Sequence, residues 1–178
     1  MKFNKTILAM AMGFSMVAGA ANAAGTTTDQ GHGKVTFTGS IIDAPCSIAA
    51  KDVDQIVPLG EIANKSLESG GKSEPHPFDI ELVNCDLGTV QTVTTTFTGA
   101  ADTNAPAMLG IAGSASGAGI VLTDGSSKPI TLGQPTDGQI LQNGTNTLLF
   151  SAYLQGDGAS EIVPGAFTSV TNFTLAYN

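Results

Sequence analysis

The sequence contains no arginine and no tryptophan, and its basic residues are seven lysines against fifteen acidic residues. So few cations cannot form the basic stripe with which proteins neutralise nucleic-acid phosphates. The formal net charge of −8 therefore argues against nucleic acid and anionic membrane surfaces as partners. The acidic residues are scattered along the chain, and we expect them to lie outward on a solvated surface.

Long hydrophobic runs are missing beyond the N-terminus. There, Lys2 and Lys5 precede an apolar stretch over residues 7–20 and the small residues 21–23. This order predicts a secretory signal peptide, residues 1–23, that is cut after Ala23. The apolar stretch is shorter than the roughly 20 residues that span a bilayer. We therefore expect an exported chain with no membrane insertion after maturation.

Cysteine is also scarce, with Cys46 and Cys85 as its two members. In an exported protein an isolated pair predicts a disulfide, although two unrelated buried thiols are the alternative. The disulfide would close a loop of about 39 residues, which the chain-entropy model values at roughly 4 kcal/mol.

Helix signals are few, whereas 22 glycines, 8 prolines and repeated Asp-Gly or Asn-Gly turns punctuate the chain. Between these turns, apolar residues alternate in segments around Phe78, Val93 and Leu148. Many short alternating segments predict an all-β antiparallel sandwich in one domain. Residues 61–69 are the one helical candidate, of a turn or two. The polar or glycine-rich residues 66–77 and 112–119 are expected to be surface loops.

Both ends of the expected mature chain read as strands. Residues 165–178 alternate from Phe167 to Tyr177, and such a terminal strand needs a partner to hold it. Residues 34–42 also alternate, after a polar, glycine-rich arm. The residues alone leave two readings of this segment open: the domain's own first strand, or a strand that another chain receives.

Motifs for catalysis or metal binding are incomplete throughout. The stretch around Ser114 misses the G-x-S-x-G elbow, and a calcium loop starting at Asp52 has Ile56 at a ligand position. His32 and His76 have no second ligand at zinc spacing. We therefore expect no enzyme activity, no catalytic or metal residues and no cofactor.

Several stretches carry a resemblance to a known family. They are KVTFTGSIIDAPCSI around Cys46, VPLGEI at residues 57–62, PFDIELVNC ending at Cys85, QNGTNTLLFSAY at residues 142–153, and Gly165 with the penultimate Tyr177. With them, the mature chain resembles the major structural subunits of chaperone–usher fimbriae, the type 1 fimbrial protein family of Gram-negative bacteria.

The resemblance implies an immunoglobulin-like antiparallel sandwich that lacks its last strand, which a neighbouring subunit's N-terminal strand completes. Residues 24–40 would form the donor-strand extension and residues 41–178 the pilin domain. The donor strand would place Gly33, Val35, Phe37 and Gly39 on its inward face. The acceptor groove, which is also the chaperone-binding strand, would comprise Gly165, Phe167, Phe173, Leu175 and Tyr177.

The implied function is that of a structural subunit that polymerises by donor-strand exchange into a surface fimbria (pilus) mediating adhesion. Its implied partners are identical subunits, head-to-tail, together with a periplasmic chaperone and an outer-membrane usher. It would be exported through the periplasm to the extracellular fimbrium of a Gram-negative bacterium. A minor adaptor or terminator subunit and a carbohydrate-binding fimbrial adhesin are the alternatives. The adhesin role usually needs a second domain ahead of the pilin domain.

Overall fold

The computed structural model describes residues 30–178. The predicted signal peptide and the first residues of the predicted donor extension, 24–29, lie outside the described residues. The chain divides into two units, Met1–Ser40 and Ile41–Asn178. Residues 30–42 form neither helix nor strand, whereas strands are the main regular structure of the larger unit.

The strands are joined mainly by turns and loops, and three short helical turns lie between the first two strands. In chain order, the strands are β1 (Ser47–Ile48), β2 (His76–Cys85), β3 (Thr92–Gly99), β4 (Leu109–Gly110), β5 (Ala112–Gly113), β6 (Ala118–Asp124), β7 (Gln139–Ile140), β8 (Gly144–Gly156), β9 (Phe167–Thr168) and β10 (Thr171–Tyr177). The helical elements are α1 (Asn64–Leu67) and the 3-10 turns Ala50–Asp52 and Glu68–Gly70.

The strands form two larger antiparallel sheets, ordered β1-β2-β8-β6-β4 and β10-β3-β7, and a small pair β5-β9. In a constant-type immunoglobulin sandwich, strands A, B, E and D form one sheet and C, F and G form the other. Strands β1, β2, β8 and β6 occupy the places of A, B, E and D, while β3 and β10 occupy those of C and F. The predicted all-β, immunoglobulin-like antiparallel sandwich is confirmed.

The core follows from the alternation of apolar residues along β2, β3 and β8. One side chain in two points inward because successive Cβ atoms face opposite sides of a strand. The rings of Phe78, Phe97 and Phe150 meet at the centre, with centroid separations of 5.1–6.3 Å. These inward positions are the ones that the alternation predicted.

The predicted disulfide between Cys46 and Cys85 is confirmed. Cys46 immediately precedes β1 and Cys85 ends β2, and both side chains are buried. The bond lies next to the pairing of Ser47 with Val83. It therefore ties the start of the first strand to the end of the second.

Three local predictions need correction. The strand predicted over residues 34–42 is absent from the described chain, and the first strand of the larger unit is β1. An alternating sequence becomes a strand only when a neighbour takes its backbone hydrogen bonds. Residues 66–77 are structured, since Leu67 is buried and Lys72 bridges Gln155.

The third correction concerns residues 112–119, which are paired rather than a loose loop. Ala112 and Gly113 form β5, and Ser116 bridges Val163. A Cβ atom on Gly113 or Gly117 would collide with the backbone of residues 161–167. The small residues therefore permit two backbone segments to approach closely. Composition alone had suggested that residues 112–119 form a flexible loop.

Candidate functional site: an open sheet edge

The side chains of β10 alternate between core and solvent. Phe173, Leu175 and Tyr177 are half-buried and pack against the core, while Asn172, Thr174 and Ala176 are exposed. The rings of Phe173 and Phe97 have centroids 6.4 Å apart. This is the alternation that the sequence predicted for residues 167–177.

The backbone of β10 is paired on one side. Asn178 N donates to Thr92 O at 2.9 Å, and Thr92 N donates to Asn178 O at 3.0 Å. In an antiparallel ladder, pairs that exchange two such bonds alternate with pairs that exchange none. In the register of β10 with β3, the pairs that exchange no hydrogen bond are those of Phe173, Leu175 and Tyr177. The backbone N–H and C=O groups of these residues therefore point away from β3. Among the described strands, only β3 pairs with β10.

The same free side continues through β9. Ser114 N donates to Ala166 O at 3.0 Å, and Thr168 lies opposite Ala112. Here too the even-numbered residues bond to the neighbouring strand. Phe167 therefore directs its backbone N–H and C=O groups away from β5, as Phe173 directs its own away from β3. We call this side of residues 167–177 the open edge, formed by Phe167, Ser169, Thr171, Phe173, Leu175 and Tyr177.

The open edge lies where the immunoglobulin sandwich has one more strand. In the C-F-G sheet, strand G pairs with the side of F that does not face C. That side of β10 is unpaired within residues 30–178. The residues with unpaired backbone groups are also those with inward, half-buried side chains. The edge thus offers a hydrogen-bonding ladder together with an unsealed part of the core.

Burial changes the acidity of the residue at the end of this edge. The hydroxyl-bearing ring of Tyr177 is half-buried, and this desolvation raises the pKa of Tyr177 above its ordinary value. The open edge is otherwise apolar or hydroxyl-bearing, with no ionised side chain among its inward residues. It is suited to take up an apolar, extended segment rather than a charged small molecule.

Gly165 lies just before the open edge and not on it. Its Cα is so close to Ser114 and Ala115 that an added Cβ atom would lie 2.7 Å from Ala115 N. Gly165 therefore permits residues 112–117 to approach closely. We call Gly165 together with residues 112–117 the glycine clasp. Sequence reasoning missed the contribution of residues 112–117. The small residues there and at Gly165 were the signal that could have indicated this close packing.

The predicted donor residues lie in the smaller unit. Val35 is 75% exposed and Phe37 is 90% exposed. An added Cβ atom on Gly33 or Gly39 would meet no atom within 4 Å. In residues 30–40, two large apolar side chains are thus presented to solvent on a backbone that is neither helix nor strand. Their role as a donor strand stays a prediction.

Among residues 30–178, no group of three or more His, Cys, Asp or Glu side chains could hold a metal ion. Nor does that part of the chain contain a helix long and apolar enough to cross a membrane.

An incomplete immunoglobulin-like sandwich with an open terminal-strand edge defines a class of polymerising subunits, and the comparisons with known proteins agree. Residues 35–178 match the family described as Fimbrial protein. The chain is 58% identical to Fimbria A protein of Serratia marcescens over 99% of both chains. It is 49% identical to the Major MR/P fimbria protein of Proteus mirabilis, again over 99% of both chains.

A solved structure of a chaperone–usher pilus aligns with a TM-score of 0.76 and 36% identity, over 85% of this chain and 99% of that one. The chain belongs to the fimbrial protein family. It is a structural fimbrial subunit, and polymerisation by donor-strand exchange fits this family. Fimbrial proteins form extracellular surface pili of Gram-negative bacteria, and theirs is a structural and not an enzymatic family. The predicted family resemblance is confirmed.

Proposed function

We propose that residues 24–40 of one subunit supply the strand that is missing beside β10 of the next subunit. The observation that carries this proposal is the open edge, where unpaired backbone groups and half-buried apolar side chains belong to the same residues. Addition of an extended segment to such an edge is an established mode of recognition. Backbone hydrogen bonds supply affinity, and alternate side chains supply specificity.

The donor segment has the pattern that this role requires. Gly33, Val35, Phe37 and Gly39 are spaced by two, so an extended chain places them on one face. Val35 and Phe37 would cover Phe173 and Leu175, whereas the glycines would leave room for bulkier acceptor side chains. Burial of an exposed Phe or Val side chain contributes about 1.5–3 kcal/mol.

The proposed pairing joins unlike surfaces. Each subunit gives its N-terminal arm to one neighbour and receives an arm at its open edge from another. Such a head-to-tail contact does not close on itself, so copies of the chain continue into an open filament. The filament is the extracellular fimbria, and adhesion is the role we propose for it.

A subunit with an open edge needs protection before it is incorporated. An unpaired edge beside apolar surface is an aggregation hazard. We therefore include a periplasmic chaperone that occupies Phe167, Phe173, Leu175 and Tyr177 during export, with Gly165 just ahead of them. An outer-membrane usher would be the place where the chaperone is exchanged for the next subunit's arm. Residues 1–23 would direct export as a cleaved signal peptide.

The test is the thermal unfolding of residues 40–178 with and without a synthetic peptide of residues 24–39. A ligand that binds only the folded state stabilises it by RT ln(1 + [L]/Kd), about 2.7 kcal/mol at a hundredfold excess over Kd. We expect the midpoint to rise strongly with this peptide. A matched peptide with Phe37→Asp should give little or no rise, and equal midpoints with and without the native peptide would refute the proposal.

A further inference from the structure

Strand β2 has a second side that could receive an extended chain. Strand β8 pairs with β2 from His76 to Cys85. On the opposite side, β1 covers β2 only through Ser47 opposite Val83 and Ile48 opposite Leu82. The rest of this side is an edge, and an uncovered edge is a template for strand addition.

Side chains continue the ladder where β1 ends. Ala49 N makes the last backbone bond, to Glu81 O at 2.8 Å. Glu81 N then donates to Oδ2 of Asp52 at 2.8 Å, so a carboxylate takes the place of a strand carbonyl. Two residues along β2, Asp79 O accepts from Nε2 of Gln55 at 2.7 Å. Two residues further, Pro77 has no N–H to offer.

Asp52 is built into this position. It is only 4% exposed, which corrects the expectation that the acidic residues all lie outward. Its carboxylate is satisfied there by Glu81 N and by Nζ of Lys51 at 3.1 Å. The Lys51 ammonium also lies 3.4 Å from Glu81 and 3.7 Å from Asp79. Lysine and proline are residues with which natural proteins protect sheet edges.

We propose that Asp52 and Gln55 determine the specificity of strand addition, by covering the edge of β2 so that a neighbour's arm pairs only with the open edge. This inference rests on the proposed function. The edges of β10 and β2 differ in whether their backbone groups are free to pair, and this difference determines which edge receives the arm. Backbone groups of Phe173, Leu175 and Tyr177 are unpaired among the described residues, while Asp79 O and Glu81 N are occupied by side chains.

The test uses filaments of the full chain. In wild-type filaments the open edges are already filled by neighbouring arms. A labelled peptide of residues 30–40 should therefore bind to almost no subunits. Asp52→Ala with Gln55→Ala exposes Glu81 N and Asp79 O, and we expect subunits of this variant to bind the peptide where wild-type subunits bind almost none. Electron micrographs of this double variant should show branched or laterally joined filaments.

Two variants are matched controls. Asp54→Ala removes an exposed carboxylate from the same loop without touching β2, and should bind no more peptide than wild type. Asp52→Asn keeps an oxygen that can accept from Glu81 N, and should also resemble wild type. If the double variant does not assemble, Gln55→Glu should still bind more peptide than wild type, because it replaces the amide that donates to Asp79 O and Asp52 O by a carboxylate that cannot donate.

The outcomes separate the two proposals. Unbranched variant filaments that bind no additional peptide would overturn the role of Asp52 and Gln55 while leaving the proposed function intact. That role is equally overturned if Gln55→Glu filaments match wild type after the double variant has failed to assemble. Wild-type subunits that form no filaments would instead contradict the proposed function itself.

Discussion

Strands β3 and β10 are neighbours in one sheet and face the same core, but they are buried to very different degrees. Val93, Thr95 and Phe97 of β3 are each at most 1% exposed. Their register partners Tyr177, Leu175 and Phe173 are only half-buried. The difference in burial arises within the sheet, because β3 has a neighbouring strand on each side whereas β10 has a neighbouring strand on one side. A sheet face is sealed by both neighbours of a strand as well as by the opposite sheet.

This difference separates stability from assembly. Residues on β3 complete their contacts within the subunit, so their loss should unfold it. Side chains on β10 are only partly covered within the subunit, so substitutions there should mainly weaken the assembly of subunits. The two strands can therefore be tested against each other with substitutions of the same kind.

The largest expected effect is complete loss of filaments. Phe173→Asp places a charge on the open edge, and Phe37→Asp places one on the proposed donor face. A charge that strand addition would bury without a partner makes pairing strongly unfavourable. Each variant should be exported as subunit but give no filaments in electron micrographs.

The matched control is Leu149→Asp, on the solvent side of β8. Leu149 is 56% exposed and lies opposite Asp79. The same charge there should leave filaments in place. Normal filaments from Phe37→Asp or Phe173→Asp would show that the open edge is not where subunits join.

The sequence predicted both β3 and β10, because in each of them inward-facing and outward-facing residues alternate with a period of two. It could not show that β10 lacks a second neighbour, since the partners of a strand are set by topology over the whole chain. It also missed Asp52, because a buried carboxylate depends on the distant Glu81 N–H. The glycine clasp was misjudged for the same reason: small residues permit close packing as well as flexibility.

The next effect contrasts two phenylalanines in the unassembled subunit. Phe97 is fully buried between Phe78 and Phe150, so Phe97→Ala should lower the free energy of unfolding by about 3–5 kcal/mol. Phe173→Ala removes a half-buried ring and should cost about 1–2 kcal/mol. Urea unfolding of residues 40–178 measures both. Equal losses would mean that β10 is already sealed without a donor strand.

A smaller effect is expected at the glycine clasp that supports β9. Gly113 has a φ of +146°, and an added Cβ atom would collide with Ala166 O. Gly113→Ala should therefore destabilise the subunit by about 1–3 kcal/mol, through strain and displacement of residues 166–168. Gly133→Ala is the control, because Gly133 also has a positive φ of +74° but no atom within 4 Å of its Cβ position. A loss no larger than that of the control would assign the effect to φ alone.

The smallest effect is a pH dependence at the end of the open edge. Burial raises the pKa of Tyr177 in the folded chain above its ordinary value of 10.0, so the unfolded chain loses this proton first. The contribution to stability is fully present below pH 10.0 and is lost as the pH rises through the folded pKa. Tyr177→Phe should remove this alkaline loss. The effect is small because solvent still reaches the half-buried ring.

Adding the donor peptide should raise the pKa of Tyr177 further, because the added strand would exclude solvent from the ring. Ultraviolet titration of residues 40–178 with and without peptide, after subtraction of the Tyr177→Phe titration, isolates this group from Tyr153. A pKa that the peptide leaves unchanged would mean that the donor strand stops short of the end of β10. The difference between β10 and β3 would then persist in the filament at Tyr177.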